Sequence, residues 1–352
     1  MLYGSRRTLE LLDKDRIDKI SDDDVLAETA EKITALKKEQ QRFYDQRREF
    51  NKLLSAEGRQ EHLFDFLIKS AERLNETVGN AFEGCECAKR YGCGCDEAVL
   101  ILSDWHYGLV TDNIFNTYNV EICKQRVRNV VNEAKRRILF HNCSKLHIVV
   151  LGDMIHGAIH VSARVASEEL VCDQLMQVSE LLAQAITELA QCADETIVYT
   201  TYGNHARTVQ NRKDSIHRDN MERLIPWWLK QRLAPIGCVS VCDESATEFV
   251  FVNAAGHDIC VTHGDLDSVS ASPRLIPALA KRLGKQVEYV IHGDKHHAEM
   301  KEELGVTARI CGALCGADDY ANGKRLYSTP TQFLLIVNPE YGADAEYNLR
   351  CE

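Results

Sequence analysis

Five short blocks place metal-binding side chains along the last two thirds of the chain. They are Asp104-Trp105-His106, Gly152-Asp153, Gly203-Asn204-His205, His263-Gly264-Asp265 and Gly293-Asp294-Lys295-His296. Carboxylate, imidazole and amide donors in this mixture suit divalent cations. Two such ions held a few ångströms apart need one carboxylate that bridges them and a cage of ligands around the pair. Asp153, central in the order, is the candidate bridge. Asp104, His106 and His296 would complete one metal site, and Asn204, His263 and Asp294 the other. His205 stands beside a ligand without being needed as one. It is placed to meet a phosphate oxygen or a leaving group.

These blocks need scaffolding that brings them to one place. Each follows an apolar run that reads as a β-strand: 98–103, 146–151, 196–202, 258–262 and 287–292. Strand ends that converge on one rim of a sheet are where α/β proteins assemble active sites. Helical patterns over 120–140, 163–191, 214–231 and 273–282 alternate with the strands, and short strands with tight turns follow about residue 234. The late segment 307–337 is expected to close a second sheet.

The blocks resemble the signature of the calcineurin-like metallophosphoesterase superfamily, D-x-H, G-D, G-N-H, H and G-H-x-H, from about Ala98 to about Val337. Within it, Cys311 to Tyr320, Arg325, Ser328 to Gln332, Asp153 to Gly157 and Gly203 to Arg207 are similar to phage and prophage proteins of the DNA-repair exonuclease type. Those are distant relatives of SbcD-type nucleases. The resemblance implies an α/β (α+β) fold, a four-layer αββα sandwich of two mixed sheets. It also implies a two-metal phosphodiesterase, with Mn2+ the first expectation and Mg2+, Fe2+ and Zn2+ the alternatives. One departure stands out. The first histidine of the last block is replaced by Asp294. Either Asp294 binds the second metal as a harder ligand, or His292 or His297 substitutes for it, or that metal is held weakly.

Further side chains could meet the substrate. Arg164 and Arg207 match phosphate oxygens in a fork, or form ordinary surface ion pairs. His156 could touch substrate or support a ligand from behind. Trp105 and Tyr107 could stack on a base or pack around the first loop. Asp318, Tyr320 and Arg325 could line the cleft edge, and Lys281, Arg282, Lys285 and Lys295 could form a basic rim or a solvated face.

Before the catalytic region, residues 1–80 read as a helical arm. Ser21 with Asp22, Asp23 and Asp24 opens a helix, and Leu26, Ile33, Leu36, Phe43 and Phe50 form a coiled-coil-like seam. A second helix after Gly58 makes an αα-hairpin the alternative to an oligomerising coil. Residues 81–97 form a cysteine-rich linker. Cys85, Cys87, Cys93 and Cys95 could wrap a structural Zn2+, although C-x-C spacing gives a tight bite. The alternative is a thiol-rich linker. Residues 98–352 form the catalytic domain.

Composition bounds the function. The 352 residues are 45% hydrophobic and 27% charged, with a net charge of −11 and fourteen cysteines. No apolar run approaches the ~20 residues of a membrane span. The N-terminus has no apolar signal core, so the cysteines read as reduced thiols or ligands in a cytoplasmic protein, of a bacterial host if phage-encoded. The acidic balance speaks against non-specific coating of DNA. It leaves three functional classes: a DNA nuclease, exo- or endo-acting, which leads; a phosphatase or phosphodiesterase for nucleotides or cyclic nucleotides; and a non-catalytic scaffold with a degenerate metal site. DNA is the expected substrate. The arm is the expected route to a homo-oligomer, and an additional DNA-binding partner could supply the grip that the acidic chain lacks.

Overall fold

The alternation of apolar side chains in the strands decides the layering. In the computed structural model, which describes residues 33–42, 45, 94–157, 159, 167–242 and 248–352, the chain forms two units, Met1–Lys69 and Ser70–Glu352. In the first unit, residues 33–42 are helical, and Ile33 and Leu36 are exposed. The rest of the expected arm seam, and Cys85, Cys87 and Cys93, lie outside the described residues; Cys95 is exposed.

The second unit opens with β1 (Glu97–Leu102), β2 (Thr111–Asp112), β3 (Thr117–Tyr118) and α1 (Val120–Phe140). Then come β4 (Lys145–Val150), α2 (Val171–Ala190), β5 (Glu195–Thr200), α3 (Leu224–Leu233) and β6 (Val239–Val241). The second half holds β7 (Phe249–Ala254), β8 (His257–Thr262), α4 (Ser272–Lys281), β9 (Val287–His292), β10 (Glu299–Glu303) and β11 (Val306–Ile310). It ends with α5 (Asp319–Gly323), β12 (Thr331–Asn338) and β13 (Gly342–Arg350).

One six-stranded sheet has the order β13-β12-β1-β4-β5-β6, and one five-stranded sheet the order β10-β11-β9-β8-β7. Because successive strand residues face opposite ways, Leu100, Leu102, Ile148, Val150, Leu334 and Ile336 pack with the helices on the outer face of the first sheet. Val99, Ile101, Val149, Leu151, Phe333 and Leu335 point inward and meet Val252, Ile259, Val261 and Ile291 of the second sheet. Cys260 and Val290, on the other face of that sheet, pack with Ile276 and Ala280 of α4. The result is a four-layer αββα sandwich with one core between the sheets and one on each outer face.

Parallel pairing aligns the strand ends that matter. Leu102 is level with Val150, and Val150 with Thr200, so the loops after β1, β4 and β5 leave the first sheet side by side. Thr262 is level with His292, which does the same for β8 and β9.

Three expectations need correction. Segment 307–337 does not close the second sheet alone. β11 pairs with β9 there, but β12, buried on both faces, pairs antiparallel with β1 in the first sheet. The helix expected from 163 starts at Val171, because Ser167 bridges to Leu109 and the Glu168 N–H donates to the Gly108 carbonyl. The helix expected from 214 starts at Leu224. Before it, Asn220 bridges to Arg207 and caps a short 3-10 turn, Met221–Arg223.

Among the described residues, no helix is long and apolar enough to cross a membrane.

Candidate metal centre

The turns after β1, β4 and β9 do not follow ordinary backbone geometry. Asp104, His106, Asp153, Asp294 and His296 all have positive φ, between 45° and 60°. Non-glycine residues seldom adopt this region, and when they do the surrounding structure must hold them there. Here the turns direct side chains from neighbouring strands into one pocket.

Two glycines allow the loops after β4 and β5 to touch. Gly152 has φ of +93°, and a Cβ on it would collide with the backbone of Tyr202 and Gly203. A Cβ on Gly203 would collide with the carboxylate and backbone nitrogen of Asp153. The backbones therefore pack directly, and the His205 N–H donates to Asp153 Oδ1 at 2.8 Å.

In the pocket, the Nε2 atoms of His106 and His296 are 3.1 Å apart, and Asp104 Oδ1 lies 3.4 Å from His296 Nε2. On the other side of Asp153, His263 Nε2 is 3.3 Å from Asp153 Oδ2 and 3.8 Å from Asp294 Oδ1. Asn204 Nδ2 donates to Asp294 Oδ1 at 2.9 Å. Donor atoms of Asp104, His106 and Asp153, and separately of Asp153, His263 and Asp294, lie within 4.8 Å of one another. Asp153 is common to both groups.

The donor set fits cations. His263 Nδ1–H donates to the Leu151 carbonyl at 2.9 Å, which turns Nε2 toward the carboxylates. That Nε2 and Asp104 Oδ1 are buried with no hydrogen-bond partner. Buried polar atoms are normally satisfied, and a divalent ion at each point would satisfy them. Burial pushes the His106 imidazole well below the usual histidine range, helped by the His205 charge, so it is neutral as a ligand must be. Burial also opposes charge on His263, but the Asp153, Asp104 and Asp294 carboxylates outweigh it and raise its pKa well above the ordinary value. Burial disfavours the Asp153 carboxylate, yet facing His263 and His205 hold its pKa well below the usual range. The pocket is electronegative enough to attract cations. Its residues could hold two ions, one among Asp104, His106, His296 and Asp153, the other among Asp153, Asn204, His263 and Asp294.

A residue not singled out in the sequence organises the centre. Glu222 is buried, and its Oε2 accepts from the N–H of Asp153 (3.1 Å) and Gly203 (2.8 Å). Its Oε1 accepts from the N–H of Met154 (2.5 Å) and Ile155 (3.3 Å). One carboxylate thus ties the two ligand loops together. Burial, with the nearby Asp153 charge, pushes its pKa up to about 7 against the opposing backbone N–H groups. Gln332 does similar work on the first loop. Its Oε1 accepts from Ser103 N–H (2.8 Å) and the Trp105 indole (3.1 Å), and its Nε2 donates to the Ser103 carbonyl. Cys315 is a third. Its N–H donates to the Asp104 carbonyl at 3.3 Å, and its Sγ is 4.0 Å from His296 Nδ1. Cys315 and Gln332 lie inside segments that carry the sequence resemblance, but their roles, like that of Glu222, come from contacts made across the fold.

The remaining candidates separate. His205 Nδ1–H donates to the His156 carbonyl at 3.0 Å, and its ring packs edge-on to His106 at 4.5 Å. His156 also comes close to His106 and His205. Arg207 spends its guanidinium on the Asn204, Val209 and Gln210 carbonyls, which closes its own loop and does not present a phosphate clamp. Arg164 lies outside the described residues. Trp105 and Tyr107 are fully buried packing residues, not stacking surfaces. His292 is bonded to Thr262 Oγ1 at 2.9 Å and exposed His297 pairs with Glu299, so of the three side chains weighed for the last block only Asp294 faces the pocket donors. Lys295 lies over it, with Nζ 2.5 Å from Asp294 Oδ2. Lys285 pairs with Asp258 at 3.8 Å.

The chain is 22% identical over 285 residues to the SPbeta prophage-derived uncharacterized protein YonJ of Bacillus subtilis strain 168, covering 78% of this chain and 67% of that protein. Among solved structures it is similar to a novel archaeal phosphodiesterase (17% identity, TM-score 0.35, 72% of this chain and 99% of that one). It is also similar to zinc-complexed Vps29 from Entamoeba histolytica (14%, TM-score 0.32, 72% and 99%). A third is a putative 5'-nucleotidase from Staphylococcus aureus (12%, TM-score 0.35, 73% and 54%). No family model matches the chain.

Proposed function

We propose that this protein is a dinuclear-metal phosphodiesterase and that its substrate is DNA. The observation that carries the phosphodiesterase reading is the convergence of two donor groups on Asp153, with His205 beside them. When bound, two divalent ions would activate a water as hydroxide and neutralise charge on the phosphate. The protein's own part is positional. Glu222 and the Gly152–Gly203 contact hold Asp153 and Asn204 in register. The hydrogen bond from His205 Nδ1–H to the His156 carbonyl keeps one proton on Nδ1 and leaves Nε2 as the exchangeable position, so His205 protonates the leaving oxygen from Nε2 in its imidazolium form.

The DNA preference is supported by the likeness of segments 153–157, 203–207 and 311–332 to phage nucleases. Mn2+ is the activating ion in this reading, from the mixed imidazole, amide and carboxylate set. Self-association through the arm belongs to it as well, supported by exposed Ile33 and Leu36. The net charge of −11 favours a second reading, a phosphodiesterase for nucleotides or cyclic nucleotides.

The deciding assay incubates the protein with Mn2+ and end-labelled linear single- and double-stranded DNA, with Asp153→Asn as control. Cleavage lost in the control supports the nuclease reading. Hydrolysis of bis(p-nitrophenyl) phosphate without DNA cleavage moves the substrate to small phosphodiesters. Failure to bind metal or to hydrolyse either substrate would leave a scaffold.

A further inference from the structure

Large apolar side chains cluster in the open around the β2–β3 turn, which is hydrogen-bonded to the segment that carries Cys315. Phe115, in the β2–β3 turn, is 45% exposed, and Tyr327, just after α5, is 56% exposed. Their ring centroids are 5.6 Å apart with planes inclined at 48°. Exposed Ile114 and Leu326 flank them, and exposed Lys324 and Arg325 stand next in the chain.

Hydrogen bonds close the two turns that carry the pair. The Asn113 side-chain oxygen accepts from the Phe115 N–H (3.0 Å) and the Asn116 N–H (3.1 Å), closing the turn. Asn116 Nδ2 then donates to the Cys315 and Ala317 carbonyls at 2.8 and 3.0 Å. Arg126, itself buried, binds the Cys315 carbonyl and Asn116 Oδ1, both at 2.8 Å. On the other side, the Leu326 N–H donates to the Ala321 carbonyl at 2.9 Å, which fixes the turn before Tyr327.

The same tether reaches the metal ligands. Cys315, to which Asn116 is bonded, contacts both the Asp104 carbonyl and the His296 ring. Asn116, the neighbour of Phe115, is therefore two hydrogen-bonded steps from the candidate ligand Asp104. Folding leaves these rings in water, and ordering them in advance reduces the cost of binding a flat partner. An aromatic face beside basic side chains, next to a phosphodiester centre, matches the way single strands are gripped, with bases on rings and phosphates near cations.

We infer that Phe115 and Tyr327 form a stacking site for a nucleobase next to the scissile phosphodiester, with Lys324 and Arg325 bordering the adjoining backbone. This rests on the phosphodiesterase reading above and specifies its substrate as a single-stranded nucleic-acid segment.

The test uses the full chain, fluorescein-labelled ten-nucleotide oligothymidylate and a ten-unit abasic oligomer with the same phosphates. Anisotropy in EDTA reports binding without turnover. Wild type should bind the base-bearing oligomer at least about fivefold more tightly than the abasic one, the lower end of a single stacking contact. Phe115→Leu with Tyr327→Leu keeps apolar bulk and removes the rings, and it should bring that ratio to about one. Phe115→Trp should restore it in the presence of Tyr327→Leu. Equal binding of the two oligomers by wild type overturns the inference, and so does a ratio that survives the leucine replacements. If wild type hydrolyses bis(p-nitrophenyl) phosphate with Mn2+ yet binds neither oligomer, the stacking site falls and the phosphodiesterase reading stands. If it hydrolyses no phosphodiester, the underlying function falls too.

Discussion

The Glu222 carboxylate accepts the backbone N–H of Asp153 at 3.1 Å, and with the same oxygen the N–H of Gly203 at 2.8 Å. The central candidate ligand is thus positioned by a carboxylate that belongs to neither donor group. Glu222→Gln turns an acceptor into a donor facing N–H groups. Supporting residues of this kind typically cost 10–100-fold in metal affinity or activity. The expected result is Mn2+ affinity lower by about that factor with the fold retained, measured by isothermal titration calorimetry and circular dichroism. Unchanged affinity would show that Glu222 only fills space.

Asp153 and His205 should separate binding from turnover. Asp153→Asn removes the carboxylate shared by both donor groups, so bound metal, measured by atomic emission, should fall to background. His205→Ala should keep the metal and lose about 10²–10⁴-fold in turnover, the range for a general acid. Loss of metal in His205→Ala would make it a ligand instead.

Metal affinity should rise with pH through neutrality. The carboxylates raise the pKa of His263 well above its ordinary value, and Cys315 and Asp104 do the same for His296 against burial. Both rings are therefore protonated near neutral pH in the metal-free protein and must lose that proton to coordinate. Calorimetry in buffers of different ionisation enthalpy should detect protons released on Mn2+ binding. A pH-independent affinity with no proton release would contradict the electrostatics derived for the pocket.

Asp294 should set metal preference. It offers a hard carboxylate oxygen, held by Asn204 at 2.9 Å and by Lys295 at 2.5 Å. Asp294→His exchanges that oxygen for a softer nitrogen and releases Lys295, so competition should shift toward Zn2+ over Mg2+. Asp294→Ala should weaken binding of the second ion for all metals. If both variants match wild type in stoichiometry and preference, Asp294 is not a ligand.

Gly203→Ala should be costly despite its small size. The added methyl collides with the Asp153 carboxylate and backbone, and such overpacking costs typically 1–3 kcal/mol. A lower melting temperature together with weaker Mn2+ binding is expected. A neutral substitution would mean that the two loops separate easily.

The sequence by itself determined which side chains are available and which strand ends carry them. Alternating and continuous apolar runs mark strands because burial on two faces of a sheet imposes that pattern, and Asp104, His106, Asp153, Asn204, His205, His263, Asp294 and His296 all sit in the turns that follow. Only the tertiary structure decided how those turns meet. β12 joined the first sheet beside β1 because its side chains are buried on both faces, a property that local pattern cannot assign to one sheet or the other. Arg207 looked available for phosphate until its guanidinium found three carbonyls of its own loop. Glu222 follows Asp153 by 69 positions, and Gln332 follows Ser103 by 229. Each reads locally as an ordinary polar residue, since the backbone N–H groups it satisfies come from a loop that reaches it only when the sheet has formed. The choice among Asp294, His292 and His297 has the same origin. Adjacent positions in a tight turn differ little in sequence, but positive φ at Asp294 and His296 aims those two side chains inward, while His292 remains in the strand, bonded to Thr262.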